Sequence, residues 1–320
     1  MSSATLTKTP DRAKVTAWLQ NYGVYLAVVV LLLFNVFFTE NFLSAANFRT
    51  QLVQAAPVCI VALGMALVIG TEGIDLSVGS VMAISAALIP LYLGAGPLMA
   101  IIVAVIAGVV SGLFSGYLVA YLGIQPIIAT LALLVGGRGL ALVIAHGQLV
   151  QVRNQEFLEL GTGDLLGVPI MVIVAGVLAV LAGLVVQRTT FGRHLVAVGG
   201  NRAASTLAGL PVKRVLISVY VISGALAAMA GVLATSRLAA SDPSDVGLLM
   251  ELSAITAVVV GGTPLTGGRV RVLGTVFGAL LMQLVQATLI KHNLPDSTAQ
   301  MVQAAIIIVA VYVARERSSK

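Results

Sequence analysis

The chain has 320 residues, of which 59% are hydrophobic and 9% charged, with a formal net charge of +6 and a mean hydropathy of +1.05. An ordinary soluble domain is about 45–50% apolar and about 25% charged, so this composition excludes a chain that hides its apolar surface in one water-soluble core. The positive balance does not point to nucleic acid, because the cations lie in short loops between apolar runs and not together on one polar face.

A bilayer span needs about 20 mostly apolar residues. In chain order, apolar runs occupy about 22–38, 52–70, 78–95, 97–121, 126–146, 167–187, 215–236, 248–262, 272–290 and 298–314. They predict an all-α, polytopic membrane protein of about ten transmembrane helices. A single domain is expected over 22–314, between short tails at 1–21 and 315–320. The first run exceeds the 7–15 residues of a signal-peptide core, so it reads as a retained span. Assigning the connections alternately to two sides puts 13 of the 18 Lys and Arg together: Lys8, Arg12, Lys14, Arg188, Arg193, Arg202, Lys213, Arg214, Arg269, Arg271, Arg315, Arg317 and Lys320. Arg49, Arg153, Arg237 and Lys291 fall opposite, and Arg138 lies within a span. The positive-inside rule then predicts a multi-pass protein of a bacterial inner membrane with both termini cytoplasmic.

Two of the spans border Gly-bearing polar stretches, Gly70 to Ser77 and Gly261 to Gly268. Non-helical backbone at membrane depth is tolerated only where it is buried in protein or lines water, so both stretches are candidate pathway or gate elements, with Glu72 and Asp75 in the first. Val68-Ile69-Gly70 resembles Val259-Val260-Gly261, a loose hint of an internal repeat. In the fourth run, small residues recur every four positions at Ala100, Ala104, Gly108, Gly112, Gly116 and Ala120, a pattern that lets helix backbones approach closely, here for internal packing.

The fifth run begins at Gln125-Pro126 and carries Arg138. An intramembrane charge costs roughly 2.5–3.5 kcal/mol on insertion scales and should face a partner. Glu72, Asp75 and Glu251 are the carboxylates near enough to spans, and an ion pair with Glu72 or Asp75 is expected. Gln125, Arg138 and Glu251 join Glu72 and Asp75 as pathway or gate candidates.

The longest cytoplasmic connection, 188–214, holds a short helix signal. Asn201 caps it, Arg202, Ala203, Ala204 and Leu207 fall within it, and Gly209 with Pro211 ends it. Preceded by Gly200, this compact Ala-rich element reads as a docking knob with no large apolar side chain on show.

No phosphate-binding loop of the Gly-x-x-x-x-Gly-Lys type occurs, and the three histidines are scattered. No catalytic residue, metal site or cofactor is expected, and Cys59 sits alone in an apolar run. Energy for active transport must then come from a partner or an ion gradient.

Thr71 to Gly79, Gln125 to Leu131 with Gly137-Arg138-Gly139, Gly199 to Gly209, and Ala257 to Gly262 with Gly267-Gly268-Arg269 resemble the ribose/galactose-type sugar ABC permeases, in order from about residue 50 to 315. Ile124-Gln125-Pro126, Gly147 to Val150 and Gly247 to Leu252 look most like permeases of galactofuranose importers. The resemblance implies a type II importer-like fold, a second permease chain, separate ATPase subunits, a periplasmic sugar-binding protein, and Gly200 to Gly209 as the ATPase-coupling element. Glu72 and Arg271 depart from the family pattern. The competing reading is a secondary transporter or channel for a small polar solute, which would be expected to carry ionisable residues in several spans.

Overall fold

The computed structural model describes the backbone of residues 10–314 and side chains from Tyr22 onward for most of that range. The outer tails, with Lys8, Arg315, Arg317 and Lys320, lie outside the described residues, as do the side chains of Arg12 and Lys14. Thirteen α-helices follow one another among the described residues. They are α1 (Pro10–Phe38), α2 (Ala45–Gly70), α3 (Val78–Tyr92, continued by a 3-10 turn Leu93–Ala95), α4 (Pro97–Ala120), α5 (Pro126–Ile144), α6 (Gln155–Thr162), α7 (Ile170–Arg188), α8 (Thr190–Gly200), α9 (Arg202–Leu207), α10 (Val212–Leu238), α11 (Met250–Val260), α12 (Val272–Lys291) and α13 (Asp296–Ala314).

Each of the ten apolar runs falls on one of these helices, and the all-α class holds. By length and composition, α2, α3 with its 3-10 turn, α4, α5, α7, α10 and α12 suffice on their own to cross a bilayer, while Tyr22–Phe38 and Met250–Val260 are shorter. Local chemistry sets the boundaries. Pro97 and Pro126 open α4 and α5, where a proline's fixed φ suits a helix and its missing N–H would be unpaired anyway. The Asn154 side chain caps α6 by accepting from the Phe157 N–H at 3.0 Å.

The helix α2 is the central post. Its span is 78% buried, against 17% for α7, and it packs against α10, α12, α11 and α7. The closest packing joins α4 to α10. A Cβ on Gly108 would fall on the Gly224 carbonyl, one on Gly112 on the Tyr220 carbonyl, and one on Gly224 back on Gly108. The small-residue stripe is therefore an internal seam, as expected, and dispersion between touching backbones replaces the water exclusion that lipid cannot provide. The opposite face of α4 exposes Ile102, Ile106, Val110 and Leu113, the apolar exterior that hydrocarbon tolerates and water does not.

Contacts sort the connections into two ends. At one, Arg49 pairs with Asp164 at 2.7 Å, Val150–Gln151 forms a two-residue antiparallel ladder with Ala240–Ser241, and Thr39 lies 3.4 Å from His292. At the other, the Gly268 N–H donates to the Gly70 carbonyl at 3.0 Å, Thr130 reaches the Ile74 carbonyl, and Lys213 lies over the Tyr121 ring. Arg188, Arg193, Arg202, Lys213, Arg214, Arg269 and Arg271 belong to this second end, the same side to which alternation assigned them.

Two expectations change. The helix α1 starts at Pro10, not near residue 22. The 188–214 connection contains two helices, because Thr189 caps α8 by accepting from the Gly192 N–H at 3.2 Å. Gly192, Leu195, Val198 and Gly199 then fall on one buried face of α8, a helical period that the glycines and polar residues between them disguised.

Candidate functional site

The two Gly-bearing stretches are twins in backbone terms. After α2, the Glu72 N–H bonds the Ile69 carbonyl and the Gly73 N–H the Val68 carbonyl; after α11, the Gly262 N–H bonds Val259 and the Thr263 N–H bonds Val258. Both are Schellman ends, with Glu72 at φ +64° and Gly262 at φ +86° in the left-handed position. Glu72 thus corresponds to Gly262, so the structural match runs Val68 with Val258, one residue off the match suggested by sequence. The two breaks also meet, through the Gly268 to Gly70 hydrogen bond at 3.0 Å.

Asp75 locks the first break. It is 1% exposed, and its carboxylate accepts from the Ser77 N–H at 3.0 Å, the Ser77 hydroxyl at 2.5 Å and, across to α10, the Ser223 hydroxyl at 2.7 Å. A buried carboxylate so supplied with donors costs far less than a bare one, and it ties the start of α3 to α10. Glu72 is exposed, on the strained left-handed turn. Gln125 is exposed at the start of α5, where its carbonyl accepts from Ile128 and Ala129.

Arg138 corrects the expected ion pair. Its guanidinium donates to the backbone carbonyls of Pro243 at 2.7 Å and Val246 at 2.8 Å, and forms no salt bridge with Glu72 or Asp75. The reason is geometric. The 239–249 connection folds back beside α5, and its carbonyls, with Gly79 and Gly247 in backbone contact nearby, offer acceptors closer than any acid on the opposite end. Glu251 is 8% exposed, with Oε2 lacking a hydrogen-bond partner among the described residues, and sits where a Cβ on Gly79 would be 2.6 Å away. Arg138 braces the segment from Pro243 to Val246 through its hydrogen bonds to those two carbonyls.

In front of that segment lies a cavity of about 460 Å3. Its walls come from α2 (Gln54, Pro57, Val58), the end of α10 (Arg237), the 245–250 segment, α11 (Ser253), α12 (Met282, Gln283, Gln286) and α13 (Gln300, Gln303). None of the five pathway candidates lines it; Arg138 reaches it only through Val246. Sequence reasoning missed its glutamines. The available signal was amide pairs at i, i+3 on three otherwise apolar helices, Gln51/Gln54, Gln283/Gln286 and Gln300/Gln303, since that spacing puts both members on one face. Arg237, counted as a loop charge, stands on the cavity wall.

The coupling candidates stand out at the end of the molecule opposite the Arg49–Asp164 pair. Asn201 caps α9, its side chain accepting from the Ala204 N–H at 2.9 Å, and Gly209 at φ +76° turns the chain after the helix. Arg202, Ala203, Ala204 and Leu207 are exposed, and Leu207, at 91% exposure, corrects the expectation of a surface without large apolar groups. Gly200 has open space around it, whereas a Cβ on Gly199 would fall on the Gly70 carbonyl and stand 2.7 Å from the Gly268 N. The helix α8 therefore rests backbone to backbone on both breaks, and those breaks terminate α2 and α11, two of the helices that wall the cavity.

Apolar helices around a polar internal cavity, with helix breaks on one side of it, define a membrane permease. The chain belongs to the family described as branched-chain amino acid transport system / permease component, whose model matches residues 47–311. It is 40% identical to the galactofuranose transporter permease protein YtfT of Escherichia coli over 266 residues, 82% of this chain and 78% of that one. It is 38% identical to the ribose import permease protein RbsC of Bacillus subtilis over 94% of both chains, and 35% identical to the fructose import permease protein FruF of Bifidobacterium longum over 88% of this chain and 84% of that one. These relatives bear out the resemblance to sugar permeases read from the motifs. No solved structure matches the chain.

Proposed function

We propose that this chain is the pathway-forming permease subunit of an ATP-binding-cassette importer for a monosaccharide. It works with a second permease chain, ATPase subunits at the α8–α9 end and a sugar-binding protein at the opposite end. Both termini are then cytoplasmic, because the Arg-rich end that carries α8 and α9 faces inward. The sugars named for the relatives, galactofuranose and ribose among them, give the substrate class.

The observation that carries the reading is the continuous path from α9 to the cavity. A capped, exposed helix is joined to α8; α8 touches Gly70 and Gly268 without an intervening side chain; and α2 and α11 run from those breaks to the cavity walls. A partner that binds α9 differently in its two nucleotide states shifts the cavity-lining helices by that difference in contacts. The amide lining suits a solute that offers hydroxyl groups.

The test is uptake of labelled sugar into vesicles holding this chain with its ATPase, second permease and binding protein. Uptake should require ATP on the α9 side and binding protein on the other. Uptake driven by an ion gradient without ATP would instead establish a secondary transporter.

A further inference from the structure

Part of the cavity wall is built from amides. The Gln283 side chain is 8% exposed, and its Nε2 donates to Gln54 Oε1 at 2.7 Å and to Gln51 Oε1 at 3.2 Å. Around this triad the walls are apolar, with Pro57, Val58, Met82 and Met282. Elsewhere on the wall, Gln303 donates to Ser253 at 3.2 Å. Arg237 and Asp245 are the charged residues on the wall, one of each sign, so the cavity has no formal net charge. Arg237 is half-buried and lines the cavity; its Nε is buried, so its terminal guanidinium nitrogens are the donors that a solute can reach.

We propose that Gln54 and Gln283, which Gln51 backs as a hydrogen-bond acceptor, form with the Arg237 guanidinium a hydroxyl-binding subsite for a neutral sugar ring within the pathway. The proposal rests on the transport reading given above. Its chemistry follows from what an amide can do. Each carries a donor and an acceptor, as each hydroxyl does, so an arriving sugar exchanges amide–amide bonds for amide–hydroxyl bonds one for one. Gln283, the buried member, gives its two amide protons to Gln54 and Gln51, so its donors are satisfied in the empty site. The occupied site gains little net energy from the exchange. Weak holding is what a pathway requires, since a solute bound tightly in transit does not leave. The apolar walls receive the C–H faces of the ring, and the terminal nitrogens of Arg237 donate to a ring or hydroxyl oxygen.

Two variants test it, each made with Cys59→Ala so that the buried native thiol gives no background. In Val58→Cys, one turn along α2 from Gln54 on the cavity wall, a small membrane-impermeant thiol reagent added from the Arg49–Asp164 side should label the new cysteine, and D-ribose or D-galactose should slow that labelling. Gln283→Leu, close in volume and without the amide, should lower uptake about tenfold in reconstituted vesicles, the worth of roughly one hydrogen bond. Labelling that neither sugar slows, or full uptake by Gln283→Leu, would overturn the subsite. If the unsubstituted transporter takes up neither sugar, it is the transport reading that fails for those sugars. The labelling arm needs no ATP and no partner, so it decides the subsite even then, and also if Gln283→Leu does not fold.

Discussion

Gly199→Ala puts one methyl group into the contact between α8 and the two helix breaks. The added carbon falls on the Gly70 carbonyl oxygen and lies 2.7 Å from the Gly268 nitrogen, whereas ordinary contact begins near 3.4 Å. Both obstacles are backbone, so neither can swing aside as a side chain would. The junction must open by more than about 1 Å, because the Gly70 oxygen is the nearer obstacle, and overpacking of this kind costs about 1–3 kcal/mol. If α8 presses on the breaks in one transport state and eases off in another, that energy falls on the first state alone and shifts the balance roughly 5–150-fold. Uptake of sugar per ATP hydrolysed should therefore collapse while the protein still assembles in the membrane. The control is Gly176→Ala on α7, the same chemical change where nothing lies within 4 Å of the new carbon. It should transport normally. Coupled transport by Gly199→Ala equal to that of the unsubstituted protein would refute the reasoning, because the junction would then carry no state-dependent load.

Two further outcomes follow from other contacts. Arg138→Ala removes two charge-assisted hydrogen bonds to Pro243 and Val246 and should lower resistance to unfolding in detergent by about 3 kcal/mol; Glu72→Gln, on an exposed turn, should stay within about 0.5 kcal/mol. The reverse order would restore the ion pair that the sequence suggested. For orientation, Leu166→Cys and Leu207→Cys place thiols at positions 97% and 91% exposed on opposite ends. In right-side-out vesicles a membrane-impermeant maleimide should label the first alone, and labelling of the second alone would invert the topology.

The helices were legible because lipid demands long apolar runs, and α9 because its start and stop are local signals, Asn201 and Gly209. The seam of α4 was legible in its spacing of small residues. What escaped has a common cause. The Arg138 ligands are backbone carbonyls, which every residue possesses and no sequence advertises. The cavity gathers Gln54, Gln283 and Gln303 from α2, α12 and α13, and each amide alone on an apolar helix looks like a tolerated blemish. The face of α8 was hidden because two of its four buried residues are glycines, chosen for what they let approach and not for their hydrophobicity.

The glycine seam between α4 and α10 also limits how the molecule can deform. Gly108 and Gly224 each leave room only for the other's carbonyl, and Gly112 faces Tyr220 in the same way. Sliding one helix along the other by a single residue would bring Val109 of α4, or Ala225 of α10, toward a carbonyl that tolerates hydrogen alone. The pair is in effect keyed, like a shaft held by a pin, and forms a stationary frame. Shear during a transport cycle must then run on the far side of α2, where α11, α12 and α13 meet the cavity through amides and methionines that can change partners.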